Sequence, residues 1–317
     1  MRIGLVVSGS HGITFEDWSK TIATAERLEF PTLFVSDHFM VGEPQDSLEP
    51  YLMFATAAMQ SSTLRLGPLV TPITFRAPWN LARWGAQLDI LSGGRFVMGL
   101  GVGWHEPEHT AFGIPYPSLR ERFDRLEEAL EVMKLMWTSD SATFEGRYYQ
   151  LRDAQSLPKP WSGRPPIMIG GGGEKRTLKI VAKYADEWNS GNLSPEELRR
   201  KLEVLGGHCD AVGRDPSSIS TSMLAFGLIG PTDKEIDEAT RTLKEALAPE
   251  LDVSLPVYRE QLKAAGTIVG GAEQVVDQLG KLAEAGMEEV IFNNPDPASE
   301  TLPEFIAAEI APKVAAL

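Results

Sequence analysis

Acid–base side chains follow the second apolar, β-rich run of this chain. Asp37 and His38 come directly after the run TLFVS, which ends at Ser36. A carboxylate beside an imidazole at the carboxyl end of a strand is suited to general acid–base chemistry. The structural alternative is that Asp37 caps the following loop while His38 fills the interior. His11 and His109 also follow predicted strands, and this clustering favours function.

A run of four glycines, Gly170 to Gly173, follows a predicted strand and precedes a predicted helix beginning at Glu174. Backbone N–H groups at the positive end of a helix bind phosphate, and Lys175 and Arg176 add positive charge there. The alternative is a tight turn without a ligand. No Gly-Lys-Ser/Thr follows, so this is not a Walker loop. The pattern predicts a phosphate site.

A second glycine-rich stretch, Gly99 to Gly103, lacks the spacing of a dinucleotide fingerprint. Its glycines either leave space for a flat group, with Trp104 as a wall, or satisfy packing inside the fold. His11, His38 and His109 do not have the His-x-x-x-His spacing of a zinc hydrolase among themselves, and no Gly-x-Ser-x-Gly elbow is present. Metal-dependent and serine hydrolases are therefore disfavoured, and no metal site is expected.

Short β-rich runs alternate with amphipathic stretches along the chain. The predicted strands cover residues 3–7, 32–36, 64–70, 95–100, 167–169, 187–189, 220–229 and 290–293. The predicted helices cover residues 15–28, 51–60, 81–91, 119–137, 174–184, 195–212, 233–247, 275–285 and 303–314. Eight strand-then-helix units predict an α/β fold of the closed (β/α)8 TIM-barrel type. An open flavodoxin-type sheet with an added domain is the alternative.

We expect one domain over 1–317, with two loop insertions. Residues 139–166 contain an aromatic, hairpin-like piece followed by prolines, and residues 249–267 read as an irregular segment. Long ordered loops in barrels shape the mouth of the active site.

Composition narrows the class of protein further. The net charge of −14 disfavours nucleic-acid binding, because a phosphate backbone would be repelled. No apolar run approaches the roughly 20 residues of a membrane helix, and no signal-peptide pattern opens the sequence. The single Cys209 cannot form an internal disulfide. We therefore expect a cytoplasmic protein with a small-molecule substrate and no membrane or nucleic-acid partner.

Motifs at the predicted strand ends occur together in a known order. They are Ser36-Asp37-His38, Thr71-Pro72, the run SGGRFVMGLGVGW ending at Trp104, the run IGGGG ending at Gly173, and ADEWN ending at Asn189. Together they resemble the bacterial luciferase-like monooxygenase family over nearly the whole chain. The resemblance is greatest to the branch that uses the deazaflavin coenzyme F420. It implies a (β/α)8 barrel with insertions, and usually a homodimer.

The resemblance also implies a cofactor site. The deazaflavin ring would lie near Asp37 and His38, on a bulge with a non-proline cis peptide between Leu69 and Thr71. The phosphate would lie on Gly171 to Gly173. The cofactor-binding residues predicted in this way are Asp37, Leu69, Val70, Thr71, Gly103, His109, Gly171, Gly172, Gly173, Arg176, Trp188 and Asn189.

The chemistry implied is hydride transfer between C5 of F420 and an organic substrate that the sequence does not identify. The predicted catalytic residues are Asp37, His38 and Glu106, with His38 or Glu106 exchanging the accompanying proton. The predicted substrate pocket contains His11, Phe39 and Trp104, with Trp79 and Phe112 as further apolar walls. Two alternatives remain: an FMN-dependent two-component monooxygenase on the same fold, and a non-catalytic flavin-binding protein.

Overall fold

The computed structural model describes residues 1–9, 12–41, 47–248 and 250–315. His11, which is predicted to contribute to the substrate pocket, lies outside these residues. In the described part of the chain, no helix combines the length and the apolar character needed to cross a membrane.

Nine of the thirteen strands in the described residues form one parallel sheet, and it has eight strand positions because two short strands share one of them. The strands are β1 (Arg2–Ser8), β2 (Thr32–Ser36), β3 (Arg65–Pro68), β4 (Thr71–Pro72), β5 (Met98–Gly101), β6 (Ala142–Glu145), β7 (Gln150–Ala154), β8 (Ile167–Gly170), β9 (Glu187–Ser190), β10 (Ser220–Ala225), β11 (Leu228–Ile229), β12 (Val269–Gly270) and β13 (Glu289–Asn294). The main sheet has the order β3-β2-β1-β13-β10-β9-β8-β5-β4. β5 pairs with β4, and Phe96, two residues before β5, forms a parallel bridge with Leu66 of β3, so the sheet closes on itself. The predicted (β/α)8 barrel is confirmed.

Helices connect the strands and cover the barrel. They are α1 (Phe15–Arg27), α2 (Pro50–Gln60), α3 (Pro78–Ser92), α4 (Glu106–Ala111), α5 (Leu119–Thr138), α6 (Thr177–Tyr184), α7 (Pro195–Val212), α8 (Asp233–Leu247), α9 (Leu255–Ala264), α10 (Ala272–Glu284), α11 (Thr301–Phe305) and α12 (Ala311–Val314). A π-helical turn, Ile306–Ile310, joins the last two. α7 begins where its sequence predicts, because Ser194 and Glu197 form a capping box around Pro195.

Three elements differ from the sequence prediction, and one insertion agrees with it. The strand predicted over 220–229 is two strands, since β11 leaves the barrel to pair with β12. The helix predicted from Glu174 begins at Thr177, after a turn. The segment 249–267 contains a regular helix, α9, because Pro256 lies in its first turn, where proline is tolerated. The insertion 139–166 holds the antiparallel hairpin β6–β7, as predicted.

The third barrel strand is interrupted where the sequence predicts continuous extension. β3 ends at Pro68, the Leu69–Val70 peptide is cis, and β4 resumes at Thr71. The cis bond confirms the position implied by the family resemblance. We call residues 69–71 the bulge.

Glycines on the neighbouring strands make room for the bulge. A Cβ on Gly101 or Gly170 would lie 2.8 Å from Cγ2 of Val70, and a Cβ on Gly99 would overlap the Pro68 carbonyl oxygen. Packing therefore requires these glycines, which agrees with the structural interpretation of the Gly99–Gly103 stretch. The bulge rests on two strands that carry no side chains beneath it.

The side chains inside the barrel are apolar in the middle and polar at both ends of the strands. The middle is filled by Val6, Phe34, Leu69, Val97, Met168 and Ile291. At the amino ends of the strands, Arg65 pairs with Glu187 at 2.6 Å and with Glu289 at 3.0 Å. The carboxyl ends of the strands carry the predicted reactive groups.

The first and last strands of the sheet are neighbours. β1 lies between β2 and β13, and Arg2 of β1 is paired in register with Glu289 of β13. The terminal amino group of Met1 donates a hydrogen bond to the Val314 carbonyl at 3.1 Å. The two terminal regions of the described chain therefore form one continuous part of the barrel wall.

Candidate active site at the carboxyl ends of the strands

Asp37 is a buried carboxylate at the end of β2, 1% exposed. Its Oδ2 accepts hydrogen bonds from Thr71 Oγ1 at 2.6 Å and from the Arg76 guanidinium at 2.5 Å. Arg76 also bonds Glu49 at 2.7 Å. Burial raises the pKa of Asp37, and the charge of Arg76 opposes that rise without cancelling it. Oδ1 of Asp37 has no partner among the described residues, so one buried oxygen is left to accept from a ligand.

His38, the next residue, is held by a carboxylate from the fourth strand–helix connection. Its Nδ1 lies 2.7 Å from Oε1 of Glu108, a residue that is 1% exposed. Oε2 of Glu108 accepts the backbone N–H groups of Phe39, at 2.7 Å, and Met40, at 3.2 Å. Burial alone would raise the pKa of Glu108, but its bonds to His38 and to these N–H groups lower it below its ordinary value. The carboxylate can only accept, so Nδ1 of His38 carries a proton and Nε2 is left for other chemistry.

His109 uses both ring nitrogens within the protein. Nδ1 lies 2.9 Å from the His105 carbonyl oxygen and therefore donates, while Nε2 lies 2.7 Å from Thr74 Oγ1. The ring is buried and packs against Phe75 and Tyr116. These contacts tie α4 to the loop after β4.

In the connection after β5, side chains form hydrogen bonds with the backbone carbonyls of all four residues from 102 to 105. Arg122 donates to the carbonyls of residues 102 and 103, and the Tyr116 hydroxyl donates to the Trp104 carbonyl at 2.9 Å. His109 holds the fourth carbonyl, at residue 105. Gly103 has φ +76, a conformation that favours glycine, and lies against Pro72. We call residues 102–105 the tied loop.

Residues of β9 and α7 form hydrogen bonds with the run Gly170–Gly173, which we call the glycine loop. The Gly171 N–H donates to the Asn189 carbonyl at 2.9 Å, and Trp188 Nε1 donates to the Gly171 carbonyl at 2.8 Å. Lys201 of α7 donates to the Gly172 carbonyl at 2.7 Å. With φ +120, Gly171 adopts a backbone conformation that few other residues tolerate. The carbonyls are thus turned into the protein.

The N–H groups of Gly172 and Gly173 are not bonded to any described part of the chain, which suits them to an anionic ligand. Arg176, predicted to assist there, pairs with Asp124 at 2.8 Å and with Glu127 at 2.7 Å. Its charge is therefore shared with two carboxylates of α5.

A family model described as luciferase-like monooxygenase matches residues 1–289. This chain belongs to the luciferase-like monooxygenase family. It is 34% identical to the F420-dependent glucose-6-phosphate dehydrogenase of Intrasporangium calvum over 183 residues, covering 56% of this chain and 53% of that protein. An enzyme of the same name from Nocardia farcinica is 27% identical over 319 residues, 92% of each chain. An F420-dependent secondary alcohol dehydrogenase, solved in complex with an F420-acetone adduct, has the same fold, with TM-score 0.84, 23% identity and coverage of 99% and 98%.

Within this luciferase-like barrel, the predicted site residues fall into two groups. Asp37 contacts Thr71, and His38 lies beside Trp104, with ring centroids 5.6 Å apart. The glycine loop, Trp188 and Asn189 form the second group, on strands β8 and β9. Glu106 is exposed as the first residue of α4.

The sequence interpretation of this luciferase-like site missed Glu108, Arg76 and Arg122. Glu108 is 70 residues from His38 along the chain. Chemistry offered one signal for Glu108: the imidazole of His38, at the end of a strand, needs an acceptor for the nitrogen that does not face the substrate. Arg76 could have been found similarly, since a carboxylate as buried as Asp37 requires a cation or several donors.

Proposed function

We propose that this protein is an F420-dependent oxidoreductase that transfers a hydride between C5 of the deazaflavin and an organic substrate. The observation that carries the proposal is the pair at the end of β2. Asp37 presents a buried, unpartnered oxygen, and His38 beside it has a tautomer fixed by Glu108. The F420-dependent relatives named above support the same cofactor.

The residues present fit this cofactor. The unpartnered Asp37 Oδ1 is suited to a ring N–H or hydroxyl donor, and the half-exposed Val70 offers an apolar face on the bulge. The free N–H groups of Gly172 and Gly173 are suited to the phosphate. When bound, the deazaflavin accepts or delivers a hydride at C5, and it activates oxygen poorly.

The chain itself supplies the proton chemistry. In the oxidative direction, the carbinol carbon of an alcohol loses a hydride while its hydroxyl proton passes to Nε2 of His38, which leaves a carbonyl. Glu108 stabilises the imidazolium that forms and keeps Nδ1 protonated throughout. In the reductive direction, Nε2 returns the proton to the carbonyl oxygen. Glu106 remains the second predicted proton carrier.

Parallel fluorescence titrations of the apoprotein with F420 and FMN test the cofactor. We expect micromolar binding of F420 and a much weaker response to FMN. Preference for FMN, with oxygen-dependent turnover when a flavin reductase is added, would establish the monooxygenase alternative instead. Binding of either cofactor without turnover of any alcohol or ketone would favour the non-catalytic alternative.

Substitution of His38 by Gln tests the proton carrier. General acid–base catalysis contributes about 10²–10⁴-fold, so we expect kcat to fall by that factor while the Kd for F420 changes little. Glu106→Gln is the matched comparison. A large loss of kcat in Glu106→Gln with little in His38→Gln would transfer the role to Glu106.

We also propose that the protein works as a cytoplasmic homodimer. Six large apolar side chains on α2 and α3 are exposed: Leu52, Met59, Trp79, Trp84, Ile90 and Leu91. An apolar surface on neighbouring helices is typical of a protein–protein interface. Light scattering should give twice the chain mass for the wild type and one chain mass for Met59→Glu. A wild-type monomer would contradict the proposal.

A further inference from the structure

We propose that the substrate is an uncharged, apolar ring compound, namely a cyclic or aryl-substituted secondary alcohol or the corresponding ketone. Trp104 forms the wall against which its ring packs. This inference rests on the proposed function, because it names the substrate class of the same site.

Exposed aromatic rings lie on His38 and on the residues that follow it in the chain and in space. Trp104 is 67% exposed although its ring lies edge-on to His38. Phe39, the residue after His38, stacks on Phe75 at 4.3 Å, and Phe112, 58% exposed, meets Phe39 edge-on at 5.1 Å. Exposed aromatic rings beside a reactive group have apolar area left to bury against a ligand.

The Trp104 wall is held in place by the backbone beneath it. The tied loop has its four carbonyls bonded by Arg122, Tyr116 and His109, so the loop is fixed before any ligand arrives. An exposed tryptophan on a fixed backbone offers a flat surface at little entropic cost to the ligand. A ring-shaped substrate fits such a surface better than a flexible chain does.

Arg76 and Arg122 are already engaged within the protein, which disfavours a phosphorylated or carboxylated substrate beside His38. Arg76 pairs with Asp37 and Glu49. Arg122, 7% exposed, lies under the Tyr116 ring at 4.0 Å and bonds the tied loop. An anion beside His38 would also meet the charge of Glu108, which is buried behind the imidazole. The balance of charge therefore favours a neutral substrate.

The substrate therefore needs few hydrogen-bonding groups. Nε2 of His38 provides one hydrogen bond, which a single hydroxyl or carbonyl satisfies. Trp104 and Phe112 offer ring faces and one indole N–H, so they supply little hydrogen bonding to the further hydroxyls of a carbohydrate. One oxygen on an apolar ring is the pattern that these residues recognise.

The test measures F420 reduction by cyclohexanol, 1-phenylethanol and glucose 6-phosphate, and oxidation of reduced F420 by cyclohexanone. We expect turnover of the two apolar alcohols and the ketone, and none of the sugar phosphate. Trp104→Ala should raise KM for cyclohexanol about tenfold, the size of effect expected from losing one large apolar contact, with the Kd for F420 unchanged. Phe112→Ala should raise KM in the same direction.

Trp161→Ala is the matched control, because Trp161 is 75% exposed but lies beside Gly94, at the amino end of β5. It should leave KM unchanged. Turnover of glucose 6-phosphate in preference to the apolar alcohols would overturn the substrate class, as would an unchanged KM in Trp104→Ala. F420 binding without turnover of any apolar compound would also overturn it while leaving the cofactor in place. Failure to bind F420 would instead overturn the proposed function.

Discussion

Replacement of Glu108 by Gln should remove the carboxylate that accepts from Nδ1 of His38 and fixes its tautomer. The carboxylate of Glu108 accepts from His38 at 2.7 Å and from the N–H groups of Phe39 and Met40 at 2.7 and 3.2 Å. A glutamine keeps the shape but turns one oxygen into an NH2 donor. If its oxygen keeps the two N–H groups, the NH2 faces Nδ1 of His38 and favours the tautomer with the proton on Nε2. That tautomer cannot accept a substrate proton.

The size of the effect follows from these contacts. Hydrogen bonds to a charged group are worth about 1.5–3 kcal/mol each, and glutamine retains part of them, so we expect a loss of about 2 kcal/mol. For a chain of this length, that corresponds to a fall in Tm of about 3 °C. The wrong tautomer should lower kcat by about 10²–10⁴-fold.

The stability difference should depend on pH with a defined sign. The folded-state pKa of Glu108 is below its ordinary value of 4.5. Its ionised form therefore stabilises the fold fully above that ordinary value, and the contribution is lost as the pH falls through the folded pKa. The difference in Tm between wild type and Glu108→Gln should be constant near neutral pH and shrink in acid.

Differential scanning fluorimetry across pH measures the stability, and the alcohol assay measures kcat. Glu106→Gln, two residues earlier on α4, is the control, because Glu106 is exposed and should give nearly the wild-type Tm. A Tm difference independent of pH would refute the assignment of charge to Glu108. Equal effects of the two substitutions would refute the argument from burial.

Three further substitutions test the buried charge pair and the packing of the glycines. Asp37→Asn leaves Arg76 without its buried partner, so the free energy of unfolding in urea should fall by about 3–5 kcal/mol. The affinity for F420 should fall as well. Unchanged values of both quantities would contradict the proposed role of Asp37. Gly170→Ala places a Cβ 2.8 Å from Val70 and should cost about 1–3 kcal/mol. Gly207→Ala, in α7 with open space around it, should instead gain about 0.5–1 kcal/mol by the same measurement; a loss there would indicate that glycine substitution destabilises regardless of packing.

Local patterns predicted most of the regular elements. The run TLFVS predicts a strand over 32–36, and β2 has those bounds, because β-branched and apolar residues there are buried on both faces. The capping box at Ser194 likewise fixes the start of α7. Such features depend on neighbours in sequence and can be found without the fold.

The missed features depend on contacts distant in sequence. Nothing within the run containing Glu108 distinguishes it from the exposed Glu106, because the distinction arises only when α4 packs beside the end of β2. Similarly, Gly101 and Gly170 leave space for Val70 of the bulge, which is distant from both in the sequence. The family resemblance supplied the position of the bulge, whereas periodicity alone predicted a continuous strand.

The adjacency of β1 and β13 has a consequence for how the protein is made. Pairing Arg2 with Glu289 joins segments that are far apart in the sequence, so during synthesis β1 and β10 each keep one unpaired edge until β13 has been made. Exposed edges of apolar strands recruit other chains, and a product truncated before β13 would present two of them. Interrupting synthesis before β13 should therefore release chains that aggregate rather than a partly active enzyme.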